Sequence, residues 1–392
     1  MEDYWIKIKS LNFYSIKVRA NTEWKFMEYI TDDGISGISE ITDTQLNSPV
    51  SKMIAQFSNR FRDEKLLNEE NLMEYLKKEN DIANSDILTA TAISGIRSAF
   101  LDIFSKRMEI SLVEYLSKSL RDSQKSNDKV ELYANINRSL LPNDNGPVDR
   151  SPESFSKRAI EMEEKGFNTI KCAPFDECMS PFSNKGLPNE ARNGLERISA
   201  ISDSISKKTK LFVDCHSRFD LNSSYHVHDQ LKERNVNWFE EPIDPEKFIE
   251  ETRLIKKYSE IDLAGAEMAY GSKTMSKLIN EDVLDIVMPD VKFCGGPSEV
   301  IDFYKSIPNP KKSISMHCPS GPISLLTSAH ITSAIESNIP LEHAVEEVNW
   351  RKDLIFPAEN IENGNINIPK GNGIGANLNL EMIIKKGKIW EE

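Results

Sequence analysis

Lys210-Leu211-Phe212-Val213-Asp214-Cys215-His216 is a short apolar run that ends in a carboxylate, Asp214. Val236-Asn237-Trp238-Phe239-Glu240-Glu241-Pro242 repeats the pattern with Glu240, and Ile261-Asp262-Leu263-Ala264-Gly265-Ala266-Glu267 repeats it with Glu267. Asp214 stands 26 residues before Glu240, which stands 27 before Glu267. That interval is about one strand plus one returning helix. Acids often end strands, but three in phase with a βα repeat point to a shared task. Three carboxylates at one end of neighbouring parallel strands make a hard oxygen cage, which suits one Mg²⁺ ion.

The same rhythm extends outward. Strands are expected at 130–136, 168–174, 210–215, 236–241, 261–267, 284–289, 313–317 and 340–345, with helices between them. Ser151, Pro152 and Gly166 mark the first helix as N-cap, first position and stop. Phe155, Ala159 and Met162 give it an apolar stripe. Eight strands with intervening helices call for an α/β fold of the closed (β/α)8 TIM-barrel type. An open doubly wound sheet is the alternative, but no G-x-G-x-x-G follows the first strand. Residues 1–128 read as an α+β domain instead, with strands at 4–18 and 24–30, the turn Thr31-Asp32-Asp33-Gly34, and helices at 51–62, 68–78 and 87–106. The barrel is expected over 129–350. Residues 351–392 are expected to return to the N-terminal domain.

With 392 residues the chain can bury a large core. A formal net charge of −13 argues against a nucleic-acid surface. The opening Met1-Glu2-Asp3-Tyr4-Trp5-Ile6-Lys7 has no apolar stretch, so no secretory leader is expected. No apolar run of membrane-spanning length is expected. Five cysteines without zinc spacing fit a reducing cytoplasm.

Read in order, the expected strand ends carry Lys171, Asp214 with His216, Glu240, Glu267, Asp290, His317 and Glu342. At this point the chain resembles the enolase superfamily, in its mandelate racemase subgroup. The likeness covers nearly the whole length. It runs through Thr31-Asp32-Asp33-Gly34-Ile35-Ser36-Gly37-Ile38-Ser39-Glu40, Ala99-Phe100-Leu101-Asp102-Ile103, Trp238-Phe239-Glu240-Glu241-Pro242, Gly265-Ala266-Glu267, and Asp290 with Gly295-Gly296. It implies an enolase-type barrel under an N-terminal capping domain that the C-terminal tail completes. It also implies metal ligands at Asp214, Glu240 and Glu267, an Asp–His dyad at Asp290 and His317, an electrophilic Glu342, and Lys171 as the first lysine of a Lys-x-Lys motif. Ala173 replaces that motif's second lysine, a base in the family. His216 in Asp214-Cys215-His216-Ser217-Arg218, with His317-Cys318-Pro319-Ser320-Gly321-Pro322-Ile323, is similar to the galactonate dehydratases. There the third-strand His is the general acid and the seventh-strand His the base.

Elementary chemistry agrees with these roles. Removing a proton beside a carboxylate leaves two charges on adjacent oxygens, which a divalent cation offsets by several kcal/mol. Lys171 adds a fixed cation. Glu342 helps only if protonated, which a crowd of carboxylates is expected to favour. Imidazole exchanges protons near neutrality. His216 has an alternative as a mere support for Asp214. Arg218 either binds substrate or pairs with a structural acid. Arg19 and Trp24 are candidate substrate contacts from the segment 19–24, and the segment 44–52 is a second candidate. Glu241 reads as a structural acid, His343 as pointing away, His330 as helix packing, and His226 and His228 as solvated.

The leading expectation is a sugar acid dehydratase, with a small carboxylate substrate and a homo-oligomeric assembly. The nearest alternative is an epimerase or cycloisomerase on the same type of acid. A retired barrel used as a binding scaffold is the non-enzyme alternative; its mark, loss of ligands or dyad, is not seen.

Overall fold

The computed structural model describes residues 5–19, 22–44, 46–76, 86–120, 128–140, 149–178 and 189–392. Tyr4, Lys77 and Lys78 of the expected elements lie outside the described residues, as do Ala20, Asn21 and Gln45 of the two candidate contact segments.

The N-terminal α+β region begins with β1 (Ile8–Arg19), β2 (Thr22–Thr31) and β3 (Ser36–Ile41). The turn into β3 is made at Gly34, whose φ of 87° suits glycine. Helices α1 (Val50–Ser58), α2 (Glu69–Leu76), α3 (Ile87–Arg107) and α4 (Leu112–Ser117) follow. Asp86 caps α3 by accepting the Thr89 N–H at 2.7 Å. α3 packs against β3 where Gly37 leaves room: a Cβ there would lie 2.1 Å from the Ala99 carbonyl oxygen. By length and composition α3 is apolar enough to cross a membrane, contrary to the sequence expectation. Its residues from Ala90 to Ser105 are buried inside the fold.

The βα repeat follows: β4 (Lys129–Asn135), α5 (Pro152–Glu164), β5 (Thr169–Cys172), α6 (Asn189–Ser204), β6 (Lys210–Asp214), α7 (Leu221–Glu233), β7 (Trp238–Glu240), α8 (Ile249–Tyr258), β8 (Asp262–Gly265), α9 (Ser272–Asn280), β9 (Ile286–Val287), α10 (Pro297–Ser306), α11 (Pro322–Ala334) and β10 (Leu341–Ala344). The parallel order is β10-β4-β5-β6-β7-β8-β9. The register sets Asp214 beside Glu240, so both acids leave the sheet at one level. Tyr133, Phe212, Trp238, Ala264, Ile286 and Met288 form a separate core cluster among these strands. A larger cluster packs strands against helices. Ser151 caps α5, Pro152 opens it, and Gly166 follows it at φ 86°.

The strand expected at 313–317 is reduced to two parallel bridges, Val287 with Ile314 and Asp290 with His317. Pro289 is the physical reason. It has no N–H to continue the ladder, although its carbonyl still accepts the His317 N–H at 3.0 Å. On the other side, the Glu342 N–H reaches the Met316 oxygen at 3.4 Å.

The tail divides its contacts. β11 (Ile355–Phe356) pairs with β14 (Asn377–Leu378). β12 (Ile361–Glu362) and β13 (Asn365–Asn367) make a hairpin whose second strand pairs antiparallel with β4, a neighbour the sequence reading did not foresee. After α12 (Leu380–Lys386), β15 (Gly387–Trp390) completes the N-terminal sheet, in order β15-β1-β2-β3. His228 is buried, contrary to expectation. Its Nε2 accepts the Glu260 N–H at 3.2 Å, and its ring packs edge-on to Tyr258.

Two buried polar links join the N-terminal region to the parallel sheet. Glu40 on β3 accepts the Gly321 and Ser324 N–H groups at 2.7 and 3.0 Å, at the start of α11. Arg97 on α3 binds Glu69 at 2.8 Å, Glu299 at 2.9 Å and the Gly295 carbonyl at 2.6 Å. Replacing Arg97 with Met should destabilise the protein by about 3 kcal/mol, because two half-buried carboxylates and a carbonyl lose their partner. Urea unfolding measures this; an unchanged midpoint would remove Arg97 as a link.

Candidate active site

Each expected site residue of the parallel sheet leaves it at the same edge, and their side chains form one network. Asp214, Glu240 and Glu267 each offer an oxygen, all within 4.8 Å of one another. Glu267 gets there by a turn rather than by strand extension. β8 stops at Gly265, Ala266 adopts φ 67°, and the Glu241 carboxylate accepts the Ala266 N–H at 2.8 Å. Glu241 also accepts the Ser217 hydroxyl at 3.1 Å, as befits a structural acid. His216, Ser217 and Glu241 are left-handed too, at φ 47°, 55° and 38°. Such backbone costs on the order of 1–3 kcal/mol per residue and persists only where the surroundings impose it. Here the Ser217 N–H donates to the Glu241 carbonyl at 2.7 Å and the Glu241 N–H to the Ala264 carbonyl at 3.0 Å.

Lys171, in β5, is 1% exposed. Its Nζ lies 2.5 Å from Glu240, 3.2 Å from Glu342 and 3.4 Å from Asp214. Burial opposes its charge, but Glu240 and Glu342 outweigh it and hold the ammonium well above its ordinary pKa. Burial and the Asp214 charge push Glu240 well above the carboxylate range, although Lys171 opposes them. The Trp238 Nε1–H also donates to Glu240, at 3.0 Å.

His317 binds Asp290 through Nδ1 at 2.9 Å, and its Nε2 lies 2.9 Å from Glu267. Burial disfavours its cation, but Glu267 and Glu342 reverse that and raise its pKa well above 6.5. Asp290 is buried, yet Lys292 and His317 hold it below its ordinary value. Glu342 corrects the sequence expectation. Burial raises its pKa, but Lys171, His317, the Cys318 N–H at 2.8 Å and the Asn135 amide at 2.8 Å together pull it below the usual value.

His216 joins the cluster from the loop after β6. Its Nε2 is 3.1 Å from Asp214, and its Nδ1 is 2.6 Å from Asp176. Sequence reasoning missed Asp176, as it missed Asn135, Arg150 and Lys292. The one available signal for Asp176 was its place as the first acid after Lys171 on the same strand–loop unit.

Arg218, Arg19 and Trp24 make other contacts. Arg218 donates to the Cys178 carbonyl at 2.9 Å and lines a cavity of about 630 Å³ that His216 also borders. Arg19 bonds the carbonyls of Arg138 and Glu347. Trp24 is buried against Trp350 and under Arg351. His343 is buried away from the site against Phe167, and His330 accepts the Val113 N–H at 3.1 Å between helices. The five cysteines are buried.

The family model described as enolase C-terminal domain-like matches residues 154–382. The D-xylonate dehydratase of Haloferax volcanii is 24% identical, over 93% of this chain and 86% of its own. The D-gluconate dehydratase of Thermoproteus tenax is also 24% identical, over 95% of this chain and 69% of its own. A solved member of the enolase superfamily from Salmonella Typhimurium superposes with a TM-score of 0.82 at 22% identity, covering 98% of this chain and 99% of that one. With more than half of its length matched, on a fold shared end to end, the chain belongs to the enolase C-terminal domain-like family of the enolase superfamily.

Proposed function

We propose that the protein is a sugar acid dehydratase, which takes the proton beside a carboxylate and eliminates the neighbouring hydroxyl to give a 2-keto-3-deoxy acid. The observation that carries this reading is the pair of imidazoles, His317 and His216, each with its Nε2 at a different carboxylate of one three-acid cluster. The relatives named above act on acids of this class.

The donor set at the cluster is three carboxylates, and it sits beside a buried Lys171. That set fits one Mg²⁺ held by Asp214, Glu240 and Glu267. The ion would supply positive charge for a substrate carboxylate as the neighbouring carbon loses its proton. With Glu267 bound to the ion, His317 would lose much of the charge that favours its cation and would take that proton at Nε2, while Asp290 holds Nδ1–H. Lys171 offers a fixed positive charge to the same end of the acid. His216 gives a proton from Nε2 to the departing hydroxyl, which leaves as water, and the enol tautomerises to the keto acid. Arg19, Trp24 and Arg218 are candidates for the rest of the polyol chain. We infer that the supporting fold is a (β/α)8-type barrel in which residues 313–317 stand as the seventh strand, with residues 1–128 and part of the tail as its cap; the bridges Val287–Ile314 and Asp290–His317 support this. A cytoplasmic setting suits five buried cysteines without zinc spacing.

His216→Asn should lower keto-acid release by about 10²–10⁴-fold while α-proton exchange continues through His317. Proton NMR in D₂O against a panel of sugar acids reads both rates. An epimerase is the second reading, favoured because His216 also has a carboxylate on Nδ1 and could serve as a base. If wild-type enzyme returns inverted, deuterated substrate and no keto acid, the epimerase replaces the dehydratase.

A further inference from the structure

Asp176 has no role in the chemistry described so far, yet the loop that carries it is heavily braced. β5 ends at Cys172, and a turn follows over Pro174 to Glu177. Arg150 donates to the Ala173 carbonyl at 3.0 Å, to Asn137 Oδ1 at 3.0 Å and to Glu177 at 2.9 Å. Arg197 donates to the Pro174 carbonyl at 2.8 Å and to Glu177 at 2.6 Å. Asn137 Nδ2 then binds Asp176 Oδ2 at 3.0 Å, and Arg150 lies 3.6 Å from the same oxygen. Only Asp176 Oδ1 is left to face His216, at 2.6 Å.

The result repeats the Asp290–His317 arrangement from another pair of loops. In both, Nδ1 is committed to an aspartate and Nε2 faces the carboxylate cluster. The two rings differ in one respect. The His317 side chain is 9% exposed, whereas that of His216 is 37% exposed. An exposed imidazole turns easily about its outer torsion and exchanges its two nitrogens. A short charge-assisted bond from a braced carboxylate prevents that exchange.

We propose that Asp176 is the positioning residue for proton transfer at His216, fixing the ring with Nδ1–H donated outward and Nε2 turned to the substrate. This rests on the reading of His216 as proton donor to the leaving hydroxyl. Loss of Asp176 leaves the ring present but misdirected, so elimination suffers and proton removal by His317 does not. A carboxylate that merely stapled two loops would affect both steps alike, or neither.

The experiment compares Mg²⁺-loaded wild type with Asp176→Ala, Asp176→Asn and Asn137→Ala in D₂O. It counts keto acid formed and deuterium entering recovered substrate. Asp176→Ala should lower keto-acid release by about 10–100-fold and leave α-proton exchange near the wild-type rate. Asp176→Asn, whose amide oxygen can still accept Nδ1–H, should recover part of the loss. Asn137→Ala, outside contact with His216, should show the same partition in weaker form, and it serves if Asp176→Ala does not fold. Parallel loss of both rates, or loss of neither, overturns the proposal. A substrate-free measurement separates it from the dehydratase reading. In ¹⁵N-histidine-labelled protein, the His216 ring signals (assigned by their absence in His216→Asn) should change tautomer pattern in Asp176→Ala while those of His317 stay. Unchanged His216 signals overturn the role of Asp176. A wild type that releases no keto acid from any sugar acid overturns the dehydratase reading, and the ring signals then decide Asp176 alone.

Discussion

His317→Asn should abolish α-proton exchange and dehydration together, by about 10³–10⁴-fold. The amide can keep a hydrogen bond to Asp290, but it has no nitrogen that takes a proton at neutral pH. A substitute base is hard to find. The strand position that would carry a second lysine is Ala173, buried and without a titratable group. Lys171 is enclosed by Glu240, Glu342 and Asp214, so its amine is engaged as a cation. His216 approaches through Asp214, whereas His317 approaches through Glu267. Loss of both rates in one variant therefore distinguishes His317 from His216, whose loss should spare exchange. Wild-type exchange in His317→Asn would show that the base is another residue.

Glu240→Gln should weaken Mg²⁺ binding by more than about 100-fold and remove turnover with it, as exhaustive chelation should in the wild type. The substitution keeps the side chain's volume and can keep its bond from Trp238, so lost packing does not explain a large effect. What disappears is one of three charges, at the ligand most enclosed by the other groups: Asp214, Lys171, Glu342 and Glu267 all act on it. Isothermal titration with Mg²⁺ reads the binding change without any substrate. Unchanged binding, or full activity after chelation, would sink the assignment of the cage.

Much of this site was legible because a βα repeat fixes both direction and spacing. An acid at each strand end, in phase, has to meet its neighbours at one edge, and Asp214, Glu240 and Glu267 do so. The same logic reached Lys171, Asp290, His317 and Glu342. It could not reach Asp176, because that carboxylate is aimed by a loop whose course depends on two arginines from elsewhere in the chain. Nor could it foresee the hydrogen bonds that Cys318 and Asn135 give Glu342. The missing seventh strand is a lesson in hydrogen-bond supply: the alternation of Ser313-Ile314-Ser315-Met316 is there, but Pro289 removes a donor from its neighbour. The burial of His228 followed from the ring of Tyr258 on the next helix, which no single-helix pattern contains.

β15 gives the protein a particular order of assembly. Phe13 pairs with Trp390, and their rings stack 5.7 Å apart. On a ribosome, β1 emerges long before β15, so its outer neighbour is missing while the residues between them are made. Until then its edge carries free N–H and C=O groups that can template another chain. The βα units, by contrast, can pair with strands made moments before. The wall that carries the chemistry can therefore form ahead of the N-terminal sheet, and yield of active enzyme should depend on chaperones holding β1 apart until β15 is made.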